Sequence, residues 1–275
     1  MAGIVPYLIN ALLYAALGLY FWRTRWGSMP VPGAPEKIGA LEHHAVLLPL
    51  ALQTVLLYQS MFQGPHLYLG VGNSLSLIIW LTVLIYWLAN FFYNLEGLQM
   101  LMMPVAAVCC VLPIVLPPLG PVPHTELAAF KLHLMISMLA YSLFTIASLH
   151  MLLMTLLEKR LHGGNMPAIF RRLPPLLTME RLSFRVITVG FVLLTLTLVS
   201  GILFSEELFG EPLRFNHKNL FGVLSWIIFA ALLGGRQFYG WRGRIAVRWT
   251  LTGFFVLLLA YIGSTFVLEV MLGRV

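Results

Sequence analysis

The sequence is poor in charge and contains no aspartate. Only 10% of its 275 residues are charged, and all ten acidic residues are glutamate, whereas a soluble domain carries about 25% charged residues. Hydrophobic residues make up 60% of the chain and the mean hydropathy is +0.89. This composition excludes an ordinary soluble domain and predicts an integral membrane protein. Because the basic residues flank hydrophobic runs, the net charge of +7 does not indicate nucleic-acid binding.

The sequence also lacks the short motifs of familiar chemistry. Its two cysteines, Cys109 and Cys110, are adjacent inside an apolar run, which disfavours a disulfide framework. It has no CxxC, no CxxCH and no zinc-ligand spacing, so covalent haem attachment and thiol exchange are disfavoured. There is no P-loop, GxSxG, HExxH or paired-carboxylate motif. The sequence therefore predicts a protein that is not an enzyme.

Eight apolar stretches are long enough to cross a bilayer, which requires about 20 residues. The first has no basic residue before it and Arg23 and Arg25 after it, so it is predicted to be a membrane helix and not a secretory signal. The eight predicted spans are Ile4–Trp22, Ala40–Phe62, Leu69–Phe92, Leu98–Pro117, Ala128–Leu157, Val186–Phe204, Leu220–Gly234 and Val247–Leu272.

Lysine and arginine are concentrated in the loops after the first, fifth and seventh spans. By the positive-inside rule these loops are cytoplasmic, and both termini are extracytoplasmic. The largest loop, Glu158–Arg185, is predicted to carry a short interfacial helix at AIFRRLPPLL. The predicted fold is an all-α polytopic membrane helix bundle with about eight transmembrane helices, forming a single integral membrane domain over residues 1–275.

Two histidines fall at the predicted outer side of the membrane, at the starts of two spans. His133 begins a polar stripe that continues through Ser137 and Tyr141, and such stripes face a neighbouring helix or a cavity. His217 precedes the seventh span at the same level. Two neutral imidazoles at one level can supply both axial ligands of a haem iron. The alternative is a helix cap together with an interfacial histidine.

The other membrane histidines lie toward the cytoplasmic side. His150 is about 25 Å deeper than His133 and is predicted to lie off its face, so the two cannot share a metal. Its partner would be an inner residue such as His44, or a neighbouring backbone group or hydroxyl. His43 and His44 point about 100° apart, so at most one faces the bundle interior; interfacial anchoring is the alternative.

Several segments together resemble the cytochrome c assembly (CcsA- and CcmC-like) superfamily of membrane proteins. They are LPPLLTMERLSFRVITVGFVLLTLTLVSGILF, the stretch from His217 to Glu269, KLHLMISMLAYSLFTIASLHMLLMTLLEKRL and EHHAVLLPL. A helix ending GGR, then GWRGR and later AYIGS, is similar to the branch that includes the YpjD-type and HemX-type inner-membrane proteins. This resemblance implies a multi-pass protein of the bacterial inner (cytoplasmic) membrane.

The resemblance also implies non-covalent haem binding at the outer membrane face. His133 matches the family's first outer histidine, His44 matches the histidine of the second helix, and His217 lies just before the helix that follows the family's tryptophan-rich loop. Here the residues between Ser205 and Lys218 include no tryptophan, the histidine expected near Gly234–Gly235 is replaced, and no histidine follows His217. These departures indicate a paralogue that keeps the scaffold and part of the haem site.

Two hypotheses of different classes follow. The first is a haem-binding protein of cytochrome c or haem biogenesis, with His133 and His217 as ligands, His44 as a weaker inner candidate, and other biogenesis proteins as partners. The second is a haem-free scaffold or regulator that recruits a soluble partner through its basic cytoplasmic loops. A small-solute transporter would require discontinuous helices or inverted repeats, and neither is evident.

Overall fold

A computed structural model describes residues 3–26, 40–63, 66–93, 95, 97–122, 125, 127–162, 175–209 and 217–263. Within them the chain is almost entirely helical. The helices are α1 Ile4–Phe21, α2 Ala40–Ala45, α3 Leu47–Met61, α4 Val71–Ala89, α5 Gln99–Cys109, α6 Leu112–Val115, α7 Ala128–His162, α8 Leu176–Phe209, α9 His217–Tyr239 and α10 Arg244–Leu258. Single π-helical turns, Trp22–Trp26 and Leu259–Gly263, extend α1 and α10, and β1 (Phe62–Gln63) pairs antiparallel with β2 (His66–Leu67).

Seven helical segments of the described residues are long and apolar enough to cross a membrane. Their bounds are Ile4–Thr24, Glu42–Met61, Val71–Ala89, Ala128–Arg160, Leu176–Leu203, Asn219–Tyr239 and Arg244–Tyr261. They confirm the predicted all-α, multi-pass membrane bundle. Which side of the membrane holds the termini stays a prediction. We call the end of the bundle near His133 the outer end, and the end near His150 the inner end.

The predicted fourth span, Leu98–Pro117, is a shorter and broken apolar helix. It consists of α5 and α6, separated by a turn at Cys110–Val111. Pro113 near the start of α6 cannot donate a helical hydrogen bond, which accounts for the break. α6 also lies very close to α4, because a Cβ at Gly72 would stand 2.4 Å from the carbonyl oxygen of Leu112. The glycine is therefore required by a close helix–helix approach.

Proline also divides the second predicted span. α2 ends at Ala45, a turn follows at Val46, and Pro49 lies in the first turn of α3. Pro49 has no N–H to donate to the carbonyl of Ala45, so the helical ladder is interrupted at this point.

The cytoplasmic loop predicted over Glu158–Arg185 is shorter than expected. α7 continues to His162 and α8 already begins at Leu176, so the polar stretch MERLSFR is helical. The interfacial helix predicted at AIFRRLPPLL falls largely outside the described residues. α7 and α8 pack along one another as the principal helix pair, and their contact positions the histidines.

Candidate functional site

The His133 ring is half-buried and is held by α8. Its Nδ1 lies 2.8 Å from Oγ of Ser200. Ser200 also contacts the carbonyl of Leu196, at 2.7 Å, and directs its single hydroxyl proton to the backbone. Its oxygen is then the acceptor for the Nδ1–H of His133, which leaves the lone pair of the neutral imidazole on Nε2. An imidazole oriented in this way is suited to metal ligation through Nε2.

The polar stripe predicted to begin at His133 faces neighbouring helices, as expected. Ser137 and Tyr141 are both 7% exposed, and the phenol of Tyr141 donates to the carbonyl of Leu257 in α10 at 3.0 Å. The ring of Phe130 stacks on His133 with 6.3 Å between ring centres and 18° between the planes. The outer part of α7 is thus fixed in rotation by polar contacts to α8 and α10.

His150 repeats the arrangement of His133 at the inner end. The residue is 4% exposed, and its Nδ1 lies 2.7 Å from Oγ of Ser183, which in turn contacts the carbonyl of Met179 at 3.0 Å. This confirms the expectation of a buried histidine bonded to a neighbouring hydroxyl, and not to His44. The ring borders a small apolar cavity of about 80 Å³ between α4, α7 and α8.

Both histidines of α7 therefore face the same neighbouring helix, which corrects the expectation that His150 lies off the face of His133. The expectation assumed an ideal straight helix. The two histidines are seventeen residues apart in α7, and Ser183 and Ser200 are seventeen apart in α8. This spacing is two heptads plus three residues, the offset between the two contact positions of a supercoiled pair. At 1.5 Å per residue the sites remain about 25 Å apart.

At the inner end of α2, His43 faces the bundle and His44 is exposed. Asn90 accepts the backbone N–H of Leu95 at 3.2 Å, so its amide nitrogen is the atom that donates to Nδ1 of His43, at 3.1 Å. The His43 ring also stacks on Trp87, with 5.8 Å between centres and 13° between planes. Nε2 of His43 is buried without a hydrogen-bond partner among the described residues. The sequence left open which of the pair faces the bundle interior, and that position belongs to His43. The role of His44 as the weaker inner haem candidate stays a prediction.

His217 is the first residue of α9. Its side chain lies outside the described residues, so its pairing with His133 stays a prediction. Among the described residues, three or more histidine, cysteine or acidic side chains do not converge anywhere in a metal-binding group. A site with two axial histidines on a haem iron does not need such a group.

An apolar cavity of about 390 Å³ lies against the other side of α7, next to α3, α4 and the short hairpin. It reaches Met135 and Met138, and Lys131 borders it. In a helix these residues point away from His133. The cavity is therefore separate from the seam between α7 and α8 that carries the histidines.

The GGR and GWRGR motif forms a structural corner at the inner end. The carbonyl of Gly235 accepts the N–H of Trp241 at 3.2 Å, and a Cβ at Gly235 would stand 2.3 Å from the Trp241 ring. Gly243 adopts a positive φ of 56°, which favours glycine. The motif therefore brings the end of α9 back against the start of α10.

A buried ion pair joins this corner to α8. Glu180, 6% exposed, accepts a hydrogen bond from Nη1 of Arg236, and its second oxygen lies 3.4 Å from the N–H of Gly243. The guanidinium also lies 4.0 Å above the centre of the Phe184 ring, a cation–π contact. Sequence reasoning missed this pair. The available signal was a glutamate in a helical stretch that follows Pro174–Pro175.

Comparisons with known proteins identify relatives of the chain. The family described as "Cytochrome C assembly protein" matches residues 41–272. "Inner membrane protein YpjD" of Escherichia coli is 33% identical over 135 residues, which are 49% of this chain and 50% of that protein. "Cytochrome c biogenesis protein CcsA" of Prochlorococcus marinus is 40% identical over 88 residues, 32% of this chain and 28% of that protein. The chain thus spans half the length of the first relative and less of the second. No solved structure matches it.

Proposed function

The chain belongs to the cytochrome c assembly protein family, and on that basis we propose that it binds haem non-covalently in the bacterial inner membrane and takes part in cytochrome c biogenesis. A relative named as a cytochrome c biogenesis protein and another named as an inner membrane protein support this proposal. Its partners would be haem, the lipid bilayer and other proteins of cytochrome c or haem biogenesis. Its role would be to handle haem and not to catalyse a reaction.

The observation that carries the proposal is the hydrogen bond between Nδ1 of His133 and Oγ of Ser200. Histidines that ligate metals usually donate their second ring N–H to an oxygen, which fixes the ring and its tautomer. Ser200 supplies that oxygen, so Nε2 of His133 is the atom that would meet the iron. His217, at the start of α9, would supply the opposite axial ligand. At the inner end the proposal retains His44 as a weaker candidate, because its exposed ring is accessible from outside the bundle.

The test is the absorption spectrum of the protein purified in detergent, with and without added hemin. We expect a Soret band of the bis-imidazole type, lost in His133→Ala and in His217→Ala. The matched control is His150→Ala, which removes a serine-bonded histidine from the same helix and should leave the spectrum intact. A protein that gives no such band, or one whose band survives both outer substitutions, would show that the haem proposal is wrong.

A finer test addresses the role of Ser200. Replacement by alanine keeps His133 but removes the acceptor that orients it, so hemin affinity should fall by about tenfold, the lower end of the effect of losing such a partner. Ser183→Ala, which alters the equivalent bond to His150, is the matched control and should leave hemin affinity unchanged. Equal affinities in the two serine variants would exclude an orienting role for Ser200.

A second candidate function is that of a haem-free scaffold that recruits a soluble partner. The observation in its favour is the absence of tryptophan between Ser205 and Lys218, combined with exposed arginines at the inner end, among them Arg181, Arg185 and Arg242. Copurification distinguishes the two candidates. A stoichiometric soluble partner in a preparation without pigment would favour the scaffold over the haem protein.

A further inference from the structure

A third cavity, separate from the histidines, opens between α7 and α10 at the inner end. Its volume is about 530 Å³. Four of its six lining residues carry charge, and the other two are a threonine and a valine. The lining consists of Thr155, Glu158, Lys159, Arg244, Val247 and Arg248. We call this cavity the basic cleft.

The charges of the basic cleft do not cancel. Three cations face one carboxylate, which leaves a formal charge of +2. Glu158 and Arg244 partly neutralise one another, since Oε1 of the first lies 3.6 Å from Nε of the second, but their side chains are 38% and 78% exposed. A pair that is this exposed and this long contributes little to stability. The remaining cations, Lys159 and Arg248, are exposed and available to an anion.

Apolar surface continues from the basic cleft into the membrane-spanning part of both helices. Leu152 lies seven residues before Lys159 in α7, and Phe255 lies seven residues after Arg248 in α10. Each apolar residue therefore lies on the same helical face as its cation, about two turns deeper in the membrane-spanning part. Their side chains are 38% and 62% exposed. The charged cleft is thus followed, on the same faces of α7 and α10, by exposed apolar side chains in the membrane-spanning part.

We propose that the basic cleft binds an anionic phospholipid. The lipid phosphate would contact Lys159, Arg244 and Arg248, and an acyl chain would lie along Leu152 and Phe255. Basic pockets between transmembrane helices are suited to anionic lipid headgroups. The net positive charge of the cleft selects against a zwitterionic lipid, and the exposed apolar side chains beyond it favour a lipid over a soluble phosphate.

The experiment measures lipid binding to the whole protein in detergent by native mass spectrometry. The probes are phosphatidylglycerol and phosphatidylcholine with identical acyl chains, and inorganic phosphate. The test variant is the double substitution Lys159→Gln and Arg248→Gln. The matched control is Arg181→Gln with Arg185→Gln, which removes the same charge from exposed positions of α8. The size-exclusion profile verifies that both variants remain folded.

We expect the protein to retain phosphatidylglycerol in preference to phosphatidylcholine. The test variant should bind phosphatidylglycerol at least tenfold more weakly, since each of the two basic residues near a membrane surface contributes about fivefold. The control variant should bind it as the parent does. Equal binding of the two lipids, or an equal loss in the control variant, would overturn the proposal. Competition by millimolar inorganic phosphate would also overturn it and would assign the cleft to a small soluble anion.

A further variant, Glu158→Gln, tests the geometry of the cleft. It removes the carboxylate that competes with the lipid phosphate for Arg244. We expect phosphatidylglycerol to bind severalfold more tightly to this variant. Weaker binding would contradict the assignment of Arg244 to the lipid.

Discussion

The buried ion pair between Glu180 and Arg236 predicts a large and specific loss of stability when it is broken. Glu180 is 6% exposed and accepts hydrogen bonds from Arg236 and from the N–H of Gly243. The substitution Glu180→Gln preserves the shape of the side chain but removes its charge. It leaves the Arg236 guanidinium above Phe184 without its counter-ion.

The magnitude follows from how far the arginine is buried. Breaking a fully buried ion pair by removing one partner costs about 3–5 kcal/mol, because a buried charge is left uncompensated. The Arg236 side chain is 23% exposed, so water can solvate part of the remaining charge, and its contact with Phe184 is retained. We therefore expect Glu180→Gln to lower the free energy of unfolding by about 2–3 kcal/mol.

The assay is equilibrium unfolding of the purified protein in mixed micelles, with Glu158→Gln as the matched control. That control breaks the exposed pair with Arg244 and should cost about 0–1 kcal/mol. Adding Arg236→Gln to Glu180→Gln should cost less than the sum of the two single changes, because the unpaired charge is then absent. If Glu180→Gln costs no more than Glu158→Gln, or if the two changes at the buried pair are additive, the reasoning is refuted.

Two further substitutions test other parts of the inner end by thermal unfolding in detergent. Gly235→Ala should destabilise the protein by about 1–3 kcal/mol through overpacking against the Trp241 ring. Gly234→Ala is the control and should be neutral, because its Cβ would meet nothing within 4 Å. Equal effects of the two substitutions would contradict the close approach of Trp241 to Gly235. His43→Ala should lower stability by about 1–2 kcal/mol, because it removes a half-buried ring and its hydrogen bond with Asn90. His44→Ala is the control and should change stability by less than about 0.5 kcal/mol. A larger effect at His44 than at His43 would contradict the orientation of α2.

Hydropathy predicted most of the fold because a membrane-spanning segment has to be an apolar helix. A bilayer leaves few alternatives to helices of about 20 apolar residues, and seven of the eight predicted spans overlap a helix that is long and apolar enough to cross a membrane. The fourth could not be distinguished from a full span by composition. Its break at Cys110–Val111 depends on Pro113 and on contact with α4, and a hydropathy average responds to neither.

The polar inner end was harder to predict, because hydropathy does not show which polar residues are helical. MERLSFR carries three charges and so was assigned to a loop, yet it continues α8. Glu180 can be buried in α8 because it pairs with Arg236 of α9, which lies more than fifty residues away in the sequence. Contacts of this kind are set by tertiary packing, which local sequence patterns do not encode.

Which of His43 and His44 faces the interior could not be predicted from the sequence, on a similar ground. Consecutive helical residues point about 100° apart, so the sequence could show that only one faces the interior but not which one. The rotation of α2 is set by Trp87 and Asn90 in and after α4, and by the break before Pro49. A side-chain direction that depends on a neighbouring helix requires the structure.

The spacing of the histidines in α7 can be interpreted correctly only together with the spacing of the serines in α8. Considered alone on an ideal helix, His150 turns away from the face of His133. Considered together with α8, the equal offsets between His133 and His150 and between Ser200 and Ser183 place both hydroxyls opposite both rings. The two imidazoles thus share one orienting device, a serine whose proton is directed to its own helix. The two rings differ in their surroundings. His150 borders a cavity of about 80 Å³, which is too small for a porphyrin, whereas His133 would, by our proposal, bind an iron at the outer end.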